Sequence, residues 1–112
     1  MEWKNLDTLT SFEELSKVAE VDLTKVMSGE NGAERVKKYS TPMAEGLAYN
    51  YAAKQIDDKV LEDLQKLADE AQLTEKFEAL YNGEVINTGE KRMVLHHLTR
   101  GQLGEAVNAD GT

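Results

Sequence analysis

The chain has 112 residues, enough for one domain, with 21 acidic against 13 basic side chains and a net charge of −8. That balance argues against a nucleic-acid or anionic-membrane partner, since both need a surplus of Lys and Arg. Cysteine is absent, which excludes disulfides and thiolate zinc sites and fits a reducing cytosol, so a cytoplasmic location is expected.

The N-terminus, Met-Glu-Trp-Lys-Asn-Leu-Asp, lacks the basic and apolar regions of a signal peptide. No apolar run approaches the roughly 18 residues that a spanning helix needs. Ser11-Phe-Glu-Glu14 has capping-box spacing, and Phe12, Leu15, Val18 and Ala19 then mark one helical face. Asp22 is placed to cap a short second helix carrying Leu23, Val26 and Met27. Ser28 to Gly32 is a turn by composition, and Ala33 to Tyr39 forms a further helix that must end before Thr41-Pro42.

Met43 to Lys54 carries two readings. Leu47, Tyr49 and Tyr51 alternate like a strand, whereas Ala48, Ala52 and Ala53 suit a helix that Gly46 weakens. The clearest element runs from about Asp58 to Gln72, where Val60, Leu61, Leu64, Leu67, Ala68 and Ala71 follow an amphipathic pattern. Asp57 or Asp58 supplies its N-cap, and a short helix from Thr74 to Leu80 follows. Asn82-Gly83 then signals a turn. Asn87-Thr-Gly-Glu90 has the form of a capping box and predicts a helix from about Gly89 to Arg100, with Val94, Leu95 and Leu98 inward and Gly101 ending it. Residues 102–112 read as a loop-like tail without a closing element, as a cut segment would end. The expected fold is mainly α: one small helical domain over 1–112, with at most a short strand pair near Leu47–Tyr51 and Val85–Ile86.

On a helix from Gly89, the residues Arg92, His96 and Arg100 would line one stripe. They suggest a phosphate clamp, because guanidinium forks bind oxyanions bidentately. The competing reading is a face whose charges meet carboxylates elsewhere. Adjacent His96 and His97 diverge on a helix and lack the i, i+4 spacing of paired zinc ligands, so one buried, hydrogen-bonded ring and one surface ring are expected. Asp57, Asp58, Glu62, Asp63, Asp69 and Glu70 mostly read as the solvated face of their helix. No Walker loop, Gly-x-Gly-x-x-Gly or nucleophile elbow occurs, and no catalytic, cofactor or metal residue is assigned.

The run Tyr81-Asn-Gly-Glu-Val-Ile-Asn-Thr-Gly-Glu-Lys-Arg-Met-Val-Leu-His-His-Leu-Thr-Arg100 resembles the N-terminal region of the glucose-6-phosphate isomerase (phosphoglucose isomerase) family. That family reads approximately Phe-Asn-Gly-Glu-Lys-Ile-Asn-x-Thr-Glu-x-Arg-Ala-Val-Leu-His-x-Ala-Leu-Arg. Asn82, Gly83, Glu84, Ile86, Asn87, Glu90, Arg92, Val94, Leu95, His96 and Arg100 fall in step with it. Looser similarity covers Asp22-Leu23, Arg35, Tyr39-Ser40, Asn50-Tyr-Ala-Ala-Lys54, Val60 to Ala68 and Asn108-Ala-Asp-Gly111. Departures lie at Gly89, where the family has Thr, and at Leu98-Thr99, where it has Ala-Leu.

The resemblance implies an α/β sugar-isomerase parent. Such an enzyme is a homodimer that interconverts glucose 6-phosphate and fructose 6-phosphate, a step of glycolysis and gluconeogenesis. A general-base glutamate does this through a cis-enediol, without a cofactor. The family's catalytic and phosphate-binding groups lie C-terminal to the matched region and have no counterpart here. The resemblance therefore implies a structural role for Asn82, Gly83, Glu84, Asn87, Glu90, Arg92, His96 and Arg100, with the remaining catalytic domains of the parent chain as partner. Two rivals stand beside it: a stand-alone acidic helical interaction module, and a small phosphate-ester binder using Arg92, His96 and Arg100.

Overall fold

The computed structural model describes residues 1–100; the expectations for Gly101, for the tail 102–112 and for the Asn108–Gly111 similarity lie outside the described residues. The chain is mainly helical. In order it forms α1 (Thr10–Ser16), α2 (Leu23–Ser28), α3 (Gly32–Lys38), β1 (Ser40–Pro42), β2 (Ala48–Asn50), α4 (Asp58–Glu70), α5 (Leu73–Tyr81), β3 (Val85–Asn87) and β4 (Arg92–Met93). Short 3-10 turns occupy Leu6–Thr8 and His96–Arg100. Two compact units emerge among the described residues, one formed by Asp7–Leu67 and the other by Met1–Leu6 with residues 68–100.

In the Asp7–Leu67 unit, α1 starts earlier than its capping-box spacing predicts. Leu9 stands at the cap with no side-chain bond, and Ser11 is buried inside the helix. Leu15 and Val18 are half-buried, whereas Phe12 and Ala19 stay exposed. The predicted face is therefore only partly used, because Leu9 rather than Phe12 anchors the first turn. Asp22 does cap α2, its Oδ1 accepting from the Lys25 amide at 3.1 Å. The turn at Gly29 closes with the Gly32 amide donating to the Gly29 carbonyl at 3.0 Å, and α3 follows, ending at Lys38 ahead of Pro42.

Residues 43–54 resolve as strand and turn. β1 and β2 pair antiparallel in the register Ser40↔Asn50, Thr41↔Tyr49 and Pro42↔Ala48. Glu45 and Gly46 take positive φ in the connecting turn, which Gly46 adopts without a Cβ penalty. The expected pairing with Val85–Ile86 is not formed. Each strand segment instead pairs with its own neighbour, so among the described residues there are two short sheets where one strand pair was expected.

α4 begins as predicted, Asp57 Oδ1 accepting from the Val60 amide at 2.8 Å. Val60 is buried, while Leu61 and Leu67 are half-buried. Asp63 departs from the solvated-face reading, being only 1% exposed. It lies three residues past Val60 and four before Leu67, on the inward stripe itself. A buried carboxylate is costly unless paired; here Lys59 approaches to 2.5 Å, with Lys66 at 3.9 Å. In the second unit, Gln72 at φ 54 breaks α4 from α5, and Ala71 and Ala79 are buried. The Glu2 amide donates to Gln72 Oε1, and Lys76 lies 5.2 Å from the Trp3 ring.

Gly32 generates a direct test. A Cβ there would sit 2.2 Å from the Met27 carbonyl oxygen, a backbone atom that cannot swing aside. Gly32→Ala should destabilise the chain by about 2 kcal/mol, read as a lowered urea midpoint. An unchanged midpoint would remove the close α2–α3 approach from the account.

Candidate functional site

The signature stretch begins at the end of α5 as a double helix stop. The Asn82 amide donates to the Glu78 carbonyl at 2.9 Å, Gly83 to Leu80 at 3.2 Å and Glu84 to Ala79 at 2.9 Å. The last two are the paired bonds of a Schellman motif, which needs a left-handed residue between them. Gly83 supplies it at φ 82 and is itself buried. Asn82-Gly-Glu84 is thus a chain reversal whose backbone amides are spent on the helix's own carbonyls.

Asn87 and Glu90 meet as their spacing predicts. Asn87 Oδ1 accepts from the Glu90 amide at 3.1 Å, and its Nδ2 lies 3.4 Å from Glu90 Oε2. The box does not open a helix. It closes the turn of a bulged hairpin, with Val85 opposite Met93 and Asn87 opposite Arg92. Lys91 turns the corner at φ 54. The helix predicted from Gly89 to Arg100 is therefore absent, and only His96–Arg100 coils, as a 3-10 turn. An Asx side chain bonding an amide a few residues on serves turns as readily as helix caps.

This undoes the predicted stripe. Arg92 lies in β4, His96 opens the 3-10 turn and Arg100 closes it, so the three no longer share a helical face. All three are exposed, and among the described residues no ion pair holds them. The histidines divide partly as expected: one ring is exposed and the other hydrogen-bonded, but the second is half-buried rather than buried. His96 is exposed, while half-buried His97 stacks on Tyr81 at 4.7 Å and sets Nε2 3.2 Å from the Tyr81 carbonyl.

A second polar centre, in the Asp7–Leu67 unit, was not singled out by the sequence. Arg35 Nε donates to the Ala52 carbonyl at 2.8 Å; its Nη2 donates to Ile56 at 2.6 Å and to Lys54 at 3.2 Å. The guanidinium also lies 4.6 Å from the Tyr39 ring, one helical turn on. Tyr39 is buried, stacks on Tyr51 at 5.3 Å and donates its hydroxyl to Asp58 Oδ1 at 2.9 Å. Asn50 Nδ2 donates to the Val36 carbonyl at 2.7 Å, while its Oδ1 accepts from the Ala52 amide. The signal available in the sequence was the i, i+4 spacing of Arg35 and Tyr39 on one helix.

Electrostatics follow these bonds. Lys38 and then Tyr39 donate to Asp58 and hold its carboxyl below the usual aspartate range. Burial, then the bond to Asp58, push the Tyr39 hydroxyl up. A cleft of about 750 Å³ opens beside this centre, lined by Lys25, Glu34, Arg35, Lys38, Tyr39 and Asp57 among others. Its walls mix both charge signs, and the Arg35 nitrogens named above already serve backbone carbonyls. Among the described residues no group of three or more His, Asp or Glu is placed to hold a metal, and no helix is long and apolar enough to cross a membrane.

The geometry defines a small, mainly α-helical segment in which the side chains of Arg35, Asn50 and Asn87 bond its own backbone. The chain belongs to the phosphoglucose isomerase family, whose family model matches residues 50–112. It is 55% identical over 112 residues to the glucose-6-phosphate isomerase of Treponema denticola, covering 96% of this chain and 21% of that protein. The corresponding enzyme of Treponema pallidum is 47% identical over 100 residues, 89% of this chain and 19% of its own length. That of Borreliella afzelii is 43% identical over 109 residues, 96% of this chain and 20% of its own. The chain thus spans about a fifth of the length of these relatives.

Two measurements check this geometry. Arg35→Lys keeps the charge but loses the planar fork, and should cost about 2 kcal/mol in denaturant unfolding because carbonyls lose a charged donor. Asp58, lowered in the folded state, contributes stability that is complete above its unfolded pKa and lost as pH falls through the lower folded value. A carbon-detected NMR titration should therefore place Asp58 below the usual aspartate range and find it higher in Lys38→Met; no movement would contradict the Lys38 bond.

Proposed function

We propose that this chain is the N-terminal structural segment of a glucose-6-phosphate isomerase, and that its parent polypeptide interconverts glucose 6-phosphate and fructose 6-phosphate. In this reading residues 1–112 serve as one helical N-terminal domain, and 102–112 lead toward catalytic domains that are its partners. The parent is a cytoplasmic homodimer. A sequence without cysteine fits such a reducing compartment.

One observation carries the structural role. Several signature residues are bonded to their own backbone: the Gly83 and Glu84 amides to α5 carbonyls, and the Asn87 side chain to the Glu90 amide. Asn82, Gly83, Glu84, Asn87 and Glu90 shape the reversal and hairpin, while Arg92, His96 and Arg100 extend from them toward solvent or the remaining domains. Phosphate binding by those three on one helical stripe is not supported, because Arg92 lies in β4 while His96 and Arg100 lie in the following 3-10 turn.

The test is the parent gene product. The purified 112-residue chain should give no enzyme-dependent conversion of fructose 6-phosphate, whereas the product of the reading frame continued past Thr112 should convert it. Turnover by the chain alone, or a frame that stops at Thr112, would overturn the proposal; the latter would favour a stand-alone interaction module.

A further inference from the structure

We infer that the outward face of α5, formed by Leu73, Phe77 and Tyr81, is the surface on which the rest of the parent polypeptide packs in cis. This rests on the reading of the chain as the N-terminal segment of a longer isomerase. The three residues recur every four positions and so lie on one face. They are 60%, 62% and 42% exposed, and Val85, just past the helix stop, is 40% exposed. Large apolar side chains left out in a row, rather than scattered singly, mark an interaction surface.

The face is also held in place before any partner arrives. Phe77 and Tyr81 stack at 6.4 Å, Tyr81 and His97 at 4.7 Å, and His97 is anchored on the Tyr81 carbonyl. The Schellman bonds from Gly83 and Glu84 lock the end of the same helix. A pre-ordered aromatic ledge loses little conformational freedom on docking.

Size and length choose the occupant. The exposed parts of these four side chains offer on the order of 400 Å², about half of the roughly 800 Å² per partner of a stable interface between separate proteins. That is too little to hold a second copy through this face alone. A tethered partner needs less, because the linker raises its effective concentration to about the millimolar range. The relatives supply such a partner: this chain matches 21%, 19% and 20% of their lengths, so about four fifths of each protein lies beyond the matched part.

The experiment starts from the natural gene product. Its intact mass comes first: a product of 12.5 kDa overturns the N-terminal-segment reading and this inference with it. Given a longer product, Phe77→Cys and Leu73→Cys are made singly in it, with Glu75→Cys, on the opposite face of α5, as the exposed control. Maleimide labelling at each position is followed by peptide mass spectrometry. Cysteines at 77 and 73 should label at least ten-fold more slowly than at 75, independently of protein concentration. Equal rates overturn the docking while leaving the isomerase reading intact. Protection that disappears on dilution assigns the face to a second copy and likewise overturns the inference. Having two positions on the face keeps the test decisive if one variant does not fold.

Discussion

In the Asp7–Leu67 unit the link between α3 and α4 depends on one side chain reaching three carbonyls. Residues 52–56 run without regular structure between β2 and α4, so their backbone acceptors have no ladder or helix to satisfy them. Arg35 answers with donors in a rigid plane, aimed at Ala52, Lys54 and Ile56. Its flat face stacks on Tyr39 at the same time, so one residue ties α3 to the approach of α4. Tyr39 completes the tie through Asp58, the first residue of α4. Lysine, a point charge on a flexible stem, has neither the fork nor the face to do both.

The signature region obeys the same logic with different residues. Gly83 permits a conformation, and Asn87 donates and accepts within four residues of itself; neither presents an unused group to a substrate. Within the dense run of Asn, Glu, Arg and His, Gly83 and Asn87 are thus committed to the backbone, while Arg92, His96 and Arg100 stay exposed. This agrees with membership of the phosphoglucose isomerase family through a stretch that covers about a fifth of its relatives.

What the sequence disclosed was local. Asp22 and Asp57 cap the helices that they precede, and the amphipathic run from Asp58 forms the longest helix. Asn82-Gly83 reverses the chain where expected. The failures came where one pattern serves two structures. Asn87-x-x-Glu90 fits a helix cap and a closed turn equally, and the outcome hangs on Lys91 adopting φ 54, which its side chain does not advertise. Pro42 reads as a breaker, yet it closes an exposed edge strand, where a missing amide is tolerated. Asp63 was assigned to water by its charge, although its position between Val60 and Leu67 places it inward. The Arg35 centre joins residues 17 to 21 positions apart, a contact that no local pattern contains.

In the proposed reading the polar run from Asn82 to Arg100 fixes structure and does not bind substrate. An amide-resolved NMR titration of the 112-residue chain with fructose 6-phosphate tests this most directly. The expected result is cross-strand contacts between Val85 and Met93 and no saturable shifts focused on Arg92, His96 and Arg100. Saturable shifts at those three residues, abolished by Arg92→Ala, would contradict it and make the run a phosphate-ester site.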